Sequence, residues 1–254
     1  MTILCYHAVG PPSSLSISPE RFARHAEWLF QTKRLLSLQE AVGSLDGTGL
    51  LPRGSAALTF DDGYDGLYWH AFPVLSRLRL PAAVFVVSST IATPNRSVSW
   101  IRSRSLAASL QTLNLEQMLE MHESGVTFGS HSHLHQDLTT LTEGECQRDL
   151  LESREILEDA LHGPVPYLAY PYGRHTDWVR RAARRAGFSH GFTLGENSYH
   201  GQHCIPRVGV APEDGLFMLR MKTTRWFPSF RETRLFPLLR RALRGEAESS
   251  GWAS

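Results

Sequence analysis

Leu58-Thr59-Phe60-Asp61-Asp62-Gly63-Tyr64 is an apolar run that stops at two adjacent acids and a glycine. Side chains alternate along an extended segment. Neighbouring acids at a strand's end, where the backbone begins to turn, can therefore be aimed at different tasks, one at a metal and the other at protons. Asp and Gly are also ordinary turn formers, so this segment alone leaves plain turn chemistry open.

The segments on either side alternate in type. Residues 2–6 read as a short buried strand that ends at His7, before the breaker-rich Gly10-Pro11-Pro12-Ser13-Ser14. Ser18-Pro19-Glu20 opens a helix with a cap, a proline at its first position and an acid in its first turn, and Phe22, Ala26, Leu29 and Phe30 give it an apolar face. A short apolar segment at 35–38, a weaker helix and a Gly-rich loop over 43–54 lead into the strand 56–60. Downstream, helices are expected over 66–78, 115–124, 142–161 and 177–186. Strands are expected over 82–87, 126–129, 165–170, 188–194 and 205–210, with a less regular stretch over 100–112.

Repeated strand–helix units indicate a mostly parallel sheet, open or closed. Asp61-Asp62, the run from His131 to His135 and Pro171-Tyr172-Gly173 all fall immediately after strands, at the end of a (β/α) barrel where reactive groups gather. A barrel of about seven strands is therefore expected.

With 254 residues, 42% of them hydrophobic and 20% charged, the chain belongs to the globular class, and its formal net charge of +1 gives no reason to expect nucleic acid as a partner. The three cysteines, Cys5, Cys146 and Cys204, are too few and too scattered for a disulfide framework, and Cys204 reads as an inert thiol. The first residues run straight into a strand without the pattern of a signal peptide, so a cytoplasmic protein is the expectation.

Asp62, His131 and His135 would offer one carboxylate oxygen and two imidazole nitrogens, a set suited to zinc and to cobalt, nickel or manganese. Strict alternation would put His131, His133 and His135 on one face, so the chain must turn here if only the outer pair binds. A metal held this way acidifies water and polarises a carbonyl, the needs of amide or ester hydrolysis. Asp61 is then the candidate general base, or else a cap of the following helix.

Thr59-Phe60-Asp61-Asp62-Gly63-Tyr64, Gly129-Ser130-His131-Ser132-His133-Leu134-His135 and Tyr170-Pro171-Tyr172-Gly173 together resemble the three leading motifs of the polysaccharide deacetylase family (carbohydrate esterase family four). The similarity covers about residues 1–210. The opening Cys5-Tyr6-His7 and the late Ile205-Pro206-Arg207 resemble elements of the branch that acts on exopolysaccharides or related glycans. The resemblance implies a distorted (β/α)7 barrel, a divalent metal, zinc first among candidates, on Asp62, His131 and His135, and Asp61 as base. It also implies that the Tyr172 backbone N–H helps to hold the oxyanion. The substrate implied is an N-acetylglucosamine-containing glycan; without a secretion signal, an intracellular lipid-linked or nucleotide-linked precursor is expected rather than a finished wall polymer. An O-acetyl ester, a non-sugar amide, or a silent glycan-binding barrel are the alternatives.

Two departures from the family pattern stand out. Many members carry an arginine two residues before the Pro-Tyr of the third motif; here that position is Ala169, with Arg207 the candidate substitute. Many also end on a strand whose histidine is the general acid; here Val208 to Pro212 has none, and His200 and His203 are weak candidates read as surface residues. Trp100 reads either as a cleft residue or as core. Asp177-Trp178 reads as helix chemistry.

Residues 1–215 are thus expected to form the catalytic barrel, 216–245 a helical extension and 246–254 a frayed tail. In the extension Lys222, Arg225, Arg231, Arg234, Arg240 and Arg241 interleave with Trp226, Phe227, Phe230, Phe236 and Leu239. It is expected to pack on the barrel, with a peripheral membrane contact as the alternative.

Overall fold

The computed structural model describes residues 2–11, 13–91, 98, 100, 101, 103–195, 200–224, 226–231, 233 and 236. The expectations for the tail 246–254, and for Arg225, Arg234, Leu239, Arg240 and Arg241, lie outside the described residues.

Seven parallel strands close on themselves: β1 (Thr2–Tyr6), β2 (Ser55–Phe60), β3 (Ala82–Val86), β4 (Thr127–Ser130), β5 (Tyr167–Ala169), β6 (His190–Leu194) and β7 (Ile205–Gly209). They follow one another in chain order round the barrel. β1 pairs with both β2 and β7, and that double pairing closes the ring. This is the (β/α)7 barrel expected from the sequence. A two-residue strand, Arg34–Leu35, is appended to β2.

Alternation along the strands divides the core into two layers. Ile3, Ala57, Ala83, Phe85, Tyr167, Ala169, Phe192 and Ile205 fill the barrel. Leu4, Tyr6, Leu58, Phe60, Val84, Phe128 and Leu168 face the surrounding helices.

Those helices are α1 (Pro19–Thr32), α2 (Leu38–Thr48), α3 (Phe72–Leu78), α4 (Arg104–Ser109), α5 (Leu115–Glu123), α6 (Glu143–Leu161), α7 (Asp177–Arg185), α8 (Leu216–Lys222) and α9 (Phe227–Arg231). Ser18 caps α1 as expected, and α2 and α6 begin with reciprocal capping boxes, Ser37 with Glu40 and Thr142 with Glu145. Asp177 opens α7, in keeping with its reading as helix chemistry.

Three expectations are corrected. The helix α2 runs through Gly43 and Gly47 to Thr48, so the first half of the supposed loop over 43–54 is helical. Its Leu38, Ala41, Val42 and Leu45 pack under the barrel with Leu36 and close its lower end, and this burial outweighs the helix penalty of two glycines, roughly 2 kcal/mol. The stretch over 100–112 contains α4. The segment over 66–78 opens with a π-helical turn, Leu67–Ala71, before α3.

Candidate active site

The upper rim of the barrel carries a cavity of about 370 Å³ lined by His7, Asp61, Asp62, Tyr64, Trp100, His131, His135, Tyr172 and Leu194, among others. These residues come from loops after five different strands. Asp61 and Asp62 follow β2, Trp100 follows β3, His131 and His135 follow β4, Tyr172 follows β5 and His7 follows β1, while Leu194 ends β6.

The backbone at the rim is bent to aim these groups. Six described non-glycine residues have positive φ, and four of them belong here: Asp62 at 69°, Ser132 at 67°, His135 at 54° and Tyr172 at 58°. Each left-handed residue carries strain on the order of 1–2 kcal/mol. At Asp62 the turn separates two consecutive carboxylates, so Asp61 reaches inward while Asp62 faces the histidines. Gly63, next in line at φ 67°, admits no side chain, since a Cβ there would lie 2.6 Å from Val86 Cγ1.

The histidine loop turns as the sequence required. Asp149 of α6 accepts the backbone N–H groups of His133 and Leu134 at 3.0 and 3.1 Å, and Ser132 Oγ accepts that of His135 at 3.0 Å. The ring of His133 leaves the cavity and meets Ser88 Oγ at 2.9 Å. Only the outer pair faces Asp62.

His135 Nε2 and His131 Nε2 stand 3.1 and 3.5 Å from Asp62 Oδ1, and the ligand atoms of all three residues lie within 4.8 Å of one another. Ligand atoms round a tetrahedral zinc are roughly 3.3 Å apart, given metal–ligand bonds of about 2.0–2.1 Å. Asp62 Oδ1 is buried without a well-aligned hydrogen bond, which is unfavourable unless a cation is to be bound. His131 Nδ1 lies 2.8 Å from Ala169 O; donation of its N–H to that carbonyl fixes the tautomer and leaves the Nε2 lone pair for the cavity. Burial also holds the His131 imidazole down to about 4, the effect being moderated by Asp61, so the ring is neutral at physiological pH. The trio fits a divalent metal.

Asp61 is committed elsewhere. Arg207 of β7, fully buried, donates from Nη1 and Nη2 to its two oxygens at 2.6 and 2.8 Å. The guanidinium also donates to Thr59 Oγ1 at 3.1 Å and, through Nε, to Thr193 O at 3.3 Å, and it lies over the Phe85 ring. Burial alone would raise the Asp61 carboxyl; the Arg207 charge overrides it, with help from His131, and holds the group well below the usual carboxylate range. Ala169 faces the same barrel interior from β5. Arg207 therefore supplies from the last strand the guanidinium that the third motif lacks.

Two of the rim groups were not singled out from the sequence. β1 and β2 pair in register with Tyr6 opposite Phe60, so the next residues, His7 and Asp61, become neighbours. A nitrogen of His7, Cys5 Sγ and an Asp61 oxygen lie within 4.8 Å of one another. The signal was available: His7, like the acids and the other histidines, directly follows a strand. Tyr64 is buried and accepts the Trp100 indole N–H at 3.2 Å, and the Trp100 ring stacks on His135 with centroids 4.8 Å apart. Trp100 is thus a cleft residue.

His203, expected at the surface, is buried instead, with Nε2 2.9 Å from Phe188 O. His200 is exposed, and neither of them lines the cavity. Cys204 lies buried 3.7 Å from His175 Nε2 and away from the rim cavity.

Comparison with known proteins bears on this rim. The profile of the family described as polysaccharide deacetylase matches residues 49–191. A poly-β-1,6-N-acetyl-D-glucosamine N-deacetylase of Staphylococcus epidermidis is 28% identical over 212 residues, which span 77% of this chain and 68% of that protein. The solved structure of IcaB from Ammonifex degensii superposes with a TM-score of 0.70 at 31% identity, covering 84% of this chain and 92% of that one. The Streptococcus pyogenes deacetylase PplD shares the fold, with a TM-score of 0.75 at 24% identity over 88% of this chain and 98% of that one. The match of fold and family profile has one reading: this chain belongs to the polysaccharide deacetylase family.

Proposed function

We propose that the protein is a metal-dependent hydrolase that removes N-acetyl groups from N-acetylglucosamine-containing glycans or their precursors. The observation that carries the reading is the convergence of Asp62, His131 and His135 within one cavity, beside an Asp61 held ionised by Arg207. A divalent ion, zinc first, would be held by those three residues and would supply a polarised carbonyl and an acidified water.

The chain's own groups divide the remaining work. Asp61, kept as a carboxylate, takes the proton of the attacking water. The Tyr172 backbone N–H is the donor assigned to the developing oxyanion. His7, beside Asp61 and on the cavity wall, is the group assigned to protonate the departing amine, the task for which the last strand offers no histidine. The wall of Trp100 and Tyr172 suits a pyranose ring, because sugars stack on aromatic faces.

The substrate is longer than one sugar in this reading. A second cavity of about 470 Å³ shares His7, Ser14, Leu15 and Leu194 with the first and runs along β7 to α8 and α9. The polymer named for the staphylococcal relative heads the candidates, followed by lipid-linked sugars. Exposed Phe217 and Trp226, near Arg220, motivate a peripheral contact with the inner membrane face, which co-sedimentation with anionic vesicles would test.

The deciding experiment is acetate release from a panel of N-acetylglucosamine oligomers and lipid-linked sugars, with zinc and with chelator. Chelator-sensitive release is expected. A purified protein that holds no stoichiometric metal and releases no acetate would overturn the proposal. Replacement of His7 by Gln is expected to lower kcat by roughly 10²-fold.

A further inference from the structure

Cys5 has no part in the chemistry above, yet it stands at the centre of it. Its Sγ lies 3.3 Å from Asp61 Oδ2, directed as a thiol donor to that oxygen. Together with a nitrogen of His7, these atoms form a second group of metal-ligating type within 4.8 Å, separate in every residue from Asp62, His131 and His135. We infer that Cys5, His7 and Asp61 form a second, inhibitory site for a thiophilic divalent cation such as zinc, cobalt or cadmium. The inference rests on the hydrolase reading for its effect on turnover, though not for the binding itself.

The chemistry balances without a further reactant. The incoming ion takes the place of the thiol proton between Sγ and Oδ2: the S–H bond breaks, a sulfur–metal bond forms, and the proton leaves through the cavity that His7 and Asp61 line. Thiolate, imidazole and carboxylate are a recognised zinc donor set, and a tetrahedral ion would keep one position open toward the cavity. Closing atoms now up to 4.8 Å apart onto an ion needs shifts on the order of 1 Å.

Charge sets the order of filling. Arg207 and Asp61 already cancel, and burial pushes the Cys5 thiol well above its ordinary range, so the neutral thiol is the resting form. Adding a dication and losing one proton leaves the pocket, guanidinium included, with one net positive charge. That site is weaker than the first, and it fills only in metal excess. Its occupancy ties up the base and the acid together, so turnover stops although the first site is intact.

The test uses the metal-free full chain titrated with cobalt and followed by absorption, in parallel with zinc binding by calorimetry. Wild type is expected to take two equivalents, the second bringing a thiolate-to-cobalt charge-transfer band in the near ultraviolet. Cys5→Ser and Cys5→Ala are expected to take one equivalent and to show no band. Acetate release by wild type should fall at least tenfold between one and several equivalents of zinc, whereas each variant, compared with its own rate at one equivalent, should not. One equivalent without a thiolate band in wild type would overturn this inference and leave the hydrolase reading standing. No binding at all would overturn both. If Cys5→Ser fails to fold, Cys5→Ala carries the comparison.

Discussion

Replacement of Arg207 by methionine removes the guanidinium from a fully buried position while keeping most of its apolar length. Four hydrogen bonds disappear: two to Asp61 at 2.6 and 2.8 Å, one to Thr59 and one to Thr193. Breaking a buried pair from one side costs about 3–5 kcal/mol, since the surviving charge has no partner. In a chain of this size that is roughly a 10 °C fall in Tm. Asp61 has one way to limit the loss, which is to take up a proton. At about 1.4 kcal/mol per pKa unit, the same energy is an upward shift of roughly two to four units. The native carboxyl is depressed, so the pair's contribution is present above the usual carboxylate range and lost only as pH falls toward the depressed value. In Arg207→Met the acid limb of kcat/KM should therefore rise into or above the ordinary carboxylate range. Acetate release measured across pH, alongside thermal unfolding, reads both quantities. Arg207→Lys keeps the charge but not the fork and should fall between. Adding Ala169→Arg to Arg207→Met restores a guanidinium from β5, and partial recovery of both readouts is expected. If Arg207→Met kept the native acid limb and a Tm within about 2 °C, this pair would not be what holds Asp61 ionised.

Asp61→Asn should lower kcat by roughly 10²–10⁴-fold with bound metal unchanged by elemental analysis; full retention of rate would remove Asp61 from the proton path. Gly63→Ala forces a Cβ into a left-handed backbone and to 2.6 Å from Val86 Cγ1. It should cost about 2–4 kcal/mol by urea unfolding, and adding Val86→Ala should return the steric share but not the backbone share. His25 is buried with Nδ1 3.2 Å from Tyr6 Oη, and burial, reinforced by Arg21, holds it down to about 4. The unfolded chain takes up that proton near pH 6.5 and the folded chain only near 4, so stability should fall across that window as pH drops, by roughly 3 kcal/mol in full. His25→Gln should flatten the slope, and an unchanged slope would assign the acid sensitivity to other groups.

The strands of this barrel could be read from the sequence because parallel strands buried on both faces are short continuous apolar runs bounded by breakers. The candidate metal trio was legible for a related reason: Asp62, His131 and His135 each follow such a run. Other features depend on facts the sequence does not state. That α2 continues through Gly43 and Gly47 depends on the barrel's lower end, which accepts Leu38, Val42 and Leu45 and outweighs the local preference of glycine. Arg207 could be named as a substitute for the arginine missing at 169, but its bidentate hold on Asp61 spans 146 positions and needs the closed ring. His7 was not singled out although, like the acids, it directly follows a strand; the strand register is what places it beside Asp61. His203 read as a surface loop residue, and its contact with Phe188 O was invisible from the loop's composition.

The helix that stoppers the lower end of the barrel divides the molecule into a half that can be hardened and a half that cannot. Four of the six described left-handed non-glycine residues and all the proposed catalytic groups gather at the rim, while Leu36, Leu38, Val42 and Leu45 are not among them. Substitutions that fill or rigidify the stopper, including Gly43→Ala and Gly47→Ala, where a methyl group meets no atom within 4 Å, should therefore raise thermal tolerance without a matching loss of turnover. Relief of strain at Asp62 or His135 would carry the opposite exchange, a steadier fold in return for ligands that no longer point at one another.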